Sequence, residues 1–273
     1  MTRIRNYLAC VGFACPALAP LLVGSSTPFA AALNDTGQTQ CYNAADAPVA
    51  CSAAVGGDAG VNPRQDARYG RDAAAAAGQL TKVGAGSAGF DYSKVANNGS
   101  TLATSAVLGS AATDWACTKD NVTGLVWEVK TSGGLRSSAH TYTWYSTDAT
   151  SNGGNAGALG TNTCAGSLAA APYNNQCNTQ NFVAAVNAVG LCGASDWRLP
   201  SQRELLSIVH AGNTDPSIDT AYFLNTSNFY YWTKTTFAAV PAAAWVVDFG
   251  FGSTAAYGKS GGYNVVRLVR GGQ

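Results

Sequence analysis

Tyr142-Thr143-Trp144-Tyr145 is the part of this sequence best suited to direct chemistry on a ligand: three aromatic rings in four residues, inside a stretch from Thr131 to Gln176 that is otherwise mostly Gly, Ser, Asn, Thr and Ala. Rings carried on a long polar loop can stack on sugar rings, so Tyr142, Trp144 and Tyr145 are the candidate ligand-binding residues. Conventional catalytic groups are sparse. His140 and His210 are the only histidines, and neither has a Cys, Asp or Glu at metal-ligand spacing. His210 suits a cation near a helix C-terminus. There is no GxSxG elbow, and the sequence assigns no catalytic residue, so a non-enzymatic protein is expected. Asp215 and Asp219 carry oxygens suited to calcium, but a turn at Asp215-Pro216-Ser217-Ile218-Asp219 explains them as well. Gly84-Ala85-Gly86-Ser87-Ala88-Gly89 matches the GxGxxG spacing of dinucleotide sites. A strand-like Phe90-Asp91-Tyr92 follows it where the motif needs a helix, so no nucleotide cofactor is expected.

The 8 cysteines are the other reactive set. Cys10 and Cys15 fall in an N-terminal segment with a basic start (Arg3, Arg5), an apolar stretch from Tyr7 to Val23 and small residues at Ala30-Ala31-Ala32, which reads as an export signal over 1–32. Pro16 and Pro20 argue against a membrane span there, and Leu8-Ala9-Cys10 lies too near the start for a lipoprotein anchor. An even set remains: Cys41, Cys51, Cys117, Cys164, Cys177 and Cys192. In an exported chain these read as disulfides; no CxxC or Cys/His cluster supports zinc, and no metal is expected. Loop-closure length favours Cys41–Cys51 and Cys164–Cys177, leaving Cys117–Cys192.

Charge excludes one class of partner. Removing Arg3 and Arg5 from the 16 Lys+Arg leaves 14 against 15 Asp+Glu, a net −1, so nucleic acid is not expected. With 47% hydrophobic residues the chain can bury a core, and its 31 glycines imply long loops.

The elements that must position these groups can be placed in part. Ser201 and Glu204 form a capping box beside Pro200, starting a helix whose stripe of Leu205, Leu206, Ile208 and Val209 runs to Ala211-Gly212-Asn213. Asn178 to Gly190 predicts a second helix with Phe182, Val186 and Val189 on its buried face. Arg71 to Ala77 suits a short helix stopped at Gly78. Strands are expected over Gly89 to Val95, at Leu125-Val126-Trp127-Glu128-Val129, and at Tyr230 to Thr235, Ala244 to Phe249 and Val265 to Val269. Trp127, Trp197, Trp232 and Trp245 are core candidates. Arg198, Arg267 and Arg270 are candidates for half-buried ion pairs with Asp196, Glu128 or Asp248. The order of elements is α+β rather than doubly wound, with an irregular N-terminal extension over 33–111 and a domain over 112–273.

Three blocks carry a family resemblance: Asp120 to Lys130 (DNVTGLVWEVK), Asp196 to Leu206 (DWRLPSQRELL) and Val266 to Gly272 (VRLVRGG), with Tyr231-Trp232-Thr233 and Ala244 to Phe249 between the last two. Together they resemble the Lcl C-terminal domain family, named for a bacterial collagen-like adhesin, over Cys117 to Gly272. Gln65 to Asp72 is similar to a lead-in of its longer members. RLPS before a capped helix and a terminal VRGG also resemble the formylglycine-generating and sulfatase-modifying domains. The resemblance implies a C-type-lectin-like domain with two helices, a small, mostly antiparallel twisted sheet and long loops. It further implies bacterial export to the periplasm or cell surface and adhesion to glycans or other surface polymers, with an envelope protein as the alternative partner. It brings no catalytic residues. The reactive cysteine pair of the sulfatase-modifying enzymes and the EPN or QPD signature of calcium-dependent lectins are both missing.

Overall fold

The computed structural model describes residues 34–43, 45, 47–51, 65–261 and 263–271; residues 1–32, expected to be an export signal, lie outside them. The chain is α+β. A hairpin of β1 (Cys41–Tyr42) and β2 (Pro48–Val49) precedes α1 (Asp66–Tyr69) and α2 (Arg71–Ala76). Next come β3 (Tyr92–Ala96), β4 (Thr101–Leu102), β5 (Trp115–Asp120) and β6 (Val126–Glu128), then α3 (Thr179–Val189) and α4 (Gln202–Leu206). The last strands are β7 (Tyr230–Thr236), β8 (Ala243–Asp248), β9 (Ser253–Gly258) and β10 (Val269–Arg270). Pairing within the sheets is antiparallel, divided between a five-stranded sheet, β10-β6-β5-β3-β4, and a three-stranded one, β7-β8-β9. Bridges from Arg198 to Val269 and from Tyr231 to Val265 join the segments between them.

Both main helices begin where local chemistry demands. In α3 the Asn178 side chain accepts the Asn181 amide, and Gly190 closes the helix at φ 65° in the left-handed region. The capping box of α4 forms with both of its bonds present. Two expectations need correcting. Helix α4 ends at Leu206, not near Ala211, because the Ser207 hydroxyl donates back to the Glu204 carbonyl at 2.7 Å and the chain then turns. That turn lets Ile208 and Val209 enter the core while the His210 amide donates to the Ser217 carbonyl. Val189 is 67% exposed, since the last turn of α3 projects past the core and Phe182, Ala185 and Val186 form the buried face.

Strand β3 sits between β5 and β4, so the segment ahead of residue 112 supplies two strands of the five-stranded sheet. Strands β4, β5 and β9 were not expected, and β10 is shorter than foreseen, although residues 265–269 are all buried. Strand β5 is buried on both faces and therefore lacks the alternation that marks a half-exposed strand.

All three disulfides pair as closure length favours: Cys41–Cys51, Cys117–Cys192 and Cys164–Cys177. Cys117–Cys192 ties β5 to the turn after α3. Cys41–Cys51 braces a segment whose apolar cluster, among the described residues, is Cys41 and Ala67 with Val49 and Cys51 against them. In the same segment, burial and then the adjacent Asp72 raise the Asp35 carboxyl to about 7.

Candidate functional site

The aromatic residues at 142–145 are not a flexible loop. Tyr142, Thr143 and Tyr145 are held by isolated bridges to Asn264, Asn178 and Gly157, and the Trp144 amide donates to the Lys259 carbonyl at 3.1 Å. Tyr142 is fully buried with its ring centroid 4.8 Å from that of Phe182. Trp144 is 1% exposed; its indole donates to the Thr233 carbonyl at 2.9 Å, and the Lys259 ammonium lies 3.9 Å from its ring centroid. Neither ring presents a face to solvent, so the stacking role expected for them is corrected to a core role. Tyr145 alone is half-buried and reaches the surface.

Buried Lys259 organises the neighbouring loop. Its ammonium donates to the carbonyls of Asn152 (2.7 Å) and Asn155 (2.9 Å) and to the Thr236 hydroxyl (3.1 Å). Burial holds its pKa below the ordinary lysine value. The Asn152 amide group donates to the Ser146 carbonyl, Thr147 donates to Gln180 of α3, and the Thr236 hydroxyl donates to the Ser151 carbonyl. Gly153 takes φ 63°, with the Thr236 methyl where a Cβ would go, so only glycine lets loop and strand approach this closely.

This pinned loop forms one wall of a surface groove. Its first part, about 220 Å³, lies between Trp144, Tyr145 and Ser146, the first turns of α3 (Thr179, Gln180, Val183) and the Arg198-Leu199 turn, with Trp144 packed behind the wall at 1% exposure. Ser151 and Lys234 line this part and also a second hollow of about 530 Å³ bounded by Thr150, Thr235, Thr236 and Pro241. The lining is rich in hydroxyls, with one reachable ring and two cations. Arg198 is neutralised by a two-point ion pair with Glu204, at 2.9 and 2.7 Å. Lys234 is exposed, and no carboxylate lies within 4.0 Å of it among the described residues. The lining holds no carboxylate, imidazole or thiol. The arrangement can donate and accept hydrogen bonds along an extended polar ligand and attract an acidic substituent at Lys234.

The remaining candidate residues build the frame. Trp127, Trp197 and Trp232 are buried; the indole of Trp197 donates to the Leu191 carbonyl and that of Trp232 to the Tyr142 carbonyl. Trp245 is only half-buried, edge-on to Phe237 at 5.1 Å, because it faces out of the three-stranded sheet where Ala244 and Val246 face in. Trp115, not foreseen, is also core and lies under Lys94. Arg270 pairs with Asp196 as expected, at 2.6 Å. Arg198 takes Glu204 rather than Asp196, because one carboxylate both caps α4 and faces the guanidinium. Burial raises the Glu204 carboxyl, but Arg198 and the Ser201 amide outweigh it and keep its pKa below the ordinary glutamate value. Arg267 is fully buried and, among the described residues, has no carboxylate within 4.0 Å. It donates to the Glu128 backbone carbonyl and the Thr226 hydroxyl and lies over the Phe223 ring, while the Glu128 carboxylate pairs with buried Lys130 at 2.9 Å.

The other polar candidates are structural too. His140 and His210 are buried, and burial lowers both pKa values. Asp219 accepts the amide and hydroxyl of Ser87 and the Ala221 amide, so it joins two turns. In the Gly84–Gly89 stretch Ala85 bridges to Tyr92, and the chain leads into strand β3.

These features define a disulfide-braced α+β domain with a polar surface groove. The chain belongs to the family of the Lcl C-terminal domain, whose model matches residues 116–270. No curated protein and no solved structure matches it. Among the described residues, no helix is long and apolar enough to cross a membrane.

Proposed function

We propose that this chain is an exported binding module that recognises a polyhydroxylated surface polymer, a glycan, through the groove between Tyr145 and Lys234, and acts in the manner of an adhesin. The observation that carries the reading is the pre-organised groove wall: Lys259 locks Asn152, Asn155 and Thr236 before any ligand arrives, so little ordering cost remains on binding. Three disulfides suit an oxidising compartment, and the C-type-lectin-like architecture implied by the resemblance suits sugar recognition. Tyr145 supplies a stacking edge, the Ser and Thr hydroxyls supply polar contacts, and Lys234 favours polymers carrying carboxylate or other acidic groups.

A polysaccharide array tests this. Tyr145→Ala and Lys234→Ala should each weaken retention about fivefold or more, the scale of one useful interface side chain. Melting temperature should stay within about 2 °C, because both side chains reach solvent. Unchanged retention in both variants sinks the groove assignment. A second reading, an envelope assembly protein, draws on another concavity of about 750 Å³ with Leu108, Leu135 and exposed Val189 in its lining. One stoichiometric protein partner recovered by pull-down, with no array signal, favours it.

A further inference from the structure

Three carboxylates meet in the segment ahead of the family domain. Asp35 arrives from the stretch before β1, Asp66 from the start of α1 and Asp72 from α2, and one oxygen from each lies within 4.8 Å of the others. Asp35 is 6% exposed and Asp72 2%. Among the described residues, neither oxygen of Asp35 nor Oδ2 of Asp72 has a well-formed hydrogen bond from a donor, although the Thr36 and Gly89 amides lie near enough to ease part of the Asp35 charge. Asp72 Oδ1 is taken by the Gly89 amide at 2.8 Å and Asp66 Oδ2 by the Thr36 hydroxyl at 2.5 Å. Among the described residues no Lys, Arg or His nitrogen pairs with any of the three. The backbone is shaped around them: a Cβ at Gly89 would collide with Asp35 Oδ2, and one at Gly70 with Asp66 Oδ1.

Buried carboxylate oxygens without donors are costly, and three converging ones repel each other unless a cation lies between them or a proton is shared within the cluster. Two oxygens on opposite sides of a calcium ion at roughly 2.4 Å are about 5 Å apart, which matches this spread. We infer that Asp35, Asp66 and Asp72 form a binding site for a hard divalent cation, calcium, which clips the stretch before β1 to α1 and α2. An all-oxygen set suits calcium, magnesium or manganese rather than zinc or copper. Calcium tolerates irregular, partly hydrated coordination of this kind better than magnesium. The clip lies where it is most useful, because the described residues of this segment form an apolar cluster of only a few side chains. The site is separate from the groove and does not depend on its function.

The test uses the full exported chain, stripped with a chelator and titrated calorimetrically with calcium chloride, beside thermal melts in calcium and in chelator. One calcium should bind with a dissociation constant below about 1 mM, and the melt should rise by several degrees. Asp35→Asn should abolish both responses, yet melt in chelator no lower than wild type, because it removes a repelling charge and keeps the shape. No heat and no melting shift in the wild type overturns the site. So does a wild type that ignores calcium and is stabilised only by lowering pH, which is the behaviour of two carboxyls sharing a proton. Equal or tighter binding of magnesium overturns the assignment to calcium.

Discussion

Trp144→Ala separates a core tryptophan from a ligand-stacking one. The side chain is 1% exposed, donates to the Thr233 carbonyl and carries the Lys259 ammonium on its ring. Truncating a buried tryptophan costs about 3–5 kcal/mol. The orphaned carbonyl and the lost cation–ring contact each add about 1–2 kcal/mol. These terms overlap, so about 5 kcal/mol is the working figure. In a chain of this size each kcal/mol moves the thermal midpoint by about 2–4 °C, so the variant should melt about 10–20 °C lower. Calorimetry on purified protein reads this directly, and Trp144→Phe, which keeps much of the volume, should lose about half as much. The damage should spread to the groove, because Lys259 loses the ring beneath it while still holding Asn152 and Asn155. A variant that melts within about 2 °C of wild type while losing polysaccharide retention refutes the argument. The ring would then face a ligand rather than the core.

Two further perturbations probe the frame. Replacing Cys117 and Cys192 together by serine opens a bridge with a sequence separation of 75 and should cost about 4 kcal/mol in urea unfolding; a loss below about 1 kcal/mol would show that the bridge is not a main brace. Glu204→Gln should cost about 2 kcal/mol near neutral pH. The folded carboxyl titrates below its ordinary 4.5, so the wild-type advantage is fully present above that pH and fades as pH falls through the lower folded value. Urea midpoints of the two proteins should therefore converge in acid, and parallel curves would contradict the Arg198–Glu204 link.

What could be read in advance was what is local. Ser201 and Glu204 are three residues apart, Asn178 and Gly190 bracket one helix, and a short loop joins Cys164 to Cys177. The buried rings Tyr142 and Trp144 misled because what holds them, Asn264 and Phe182 for the first and Thr233 and Lys259 for the second, lies far away in sequence and leaves no periodic trace. Strand β5 hid for a related reason, since burial on both faces erases alternation. Of the groove, Tyr145 was legible, but Lys234 was not, because an exposed lysine on a strand looks ordinary until a loop is folded against it. The Asp35, Asp66 and Asp72 cluster had no signal in spacing either, as its members reach one point from three separate segments.

The order of strands in the larger sheet bears on how the chain is made. Strands β3 to β6 lie close together in sequence and can pair as soon as they emerge, whereas β10 covers β6 only when residue 269 arrives. Until then Val126 and Trp127 offer an open β edge, and the carbonyl of Arg198 lacks the Val269 amide. As long as that interval lasts, the β6 edge is a template on which another chain can pair, so the sheet's protection against edge-to-edge association rests on a strand about 140 residues away in sequence.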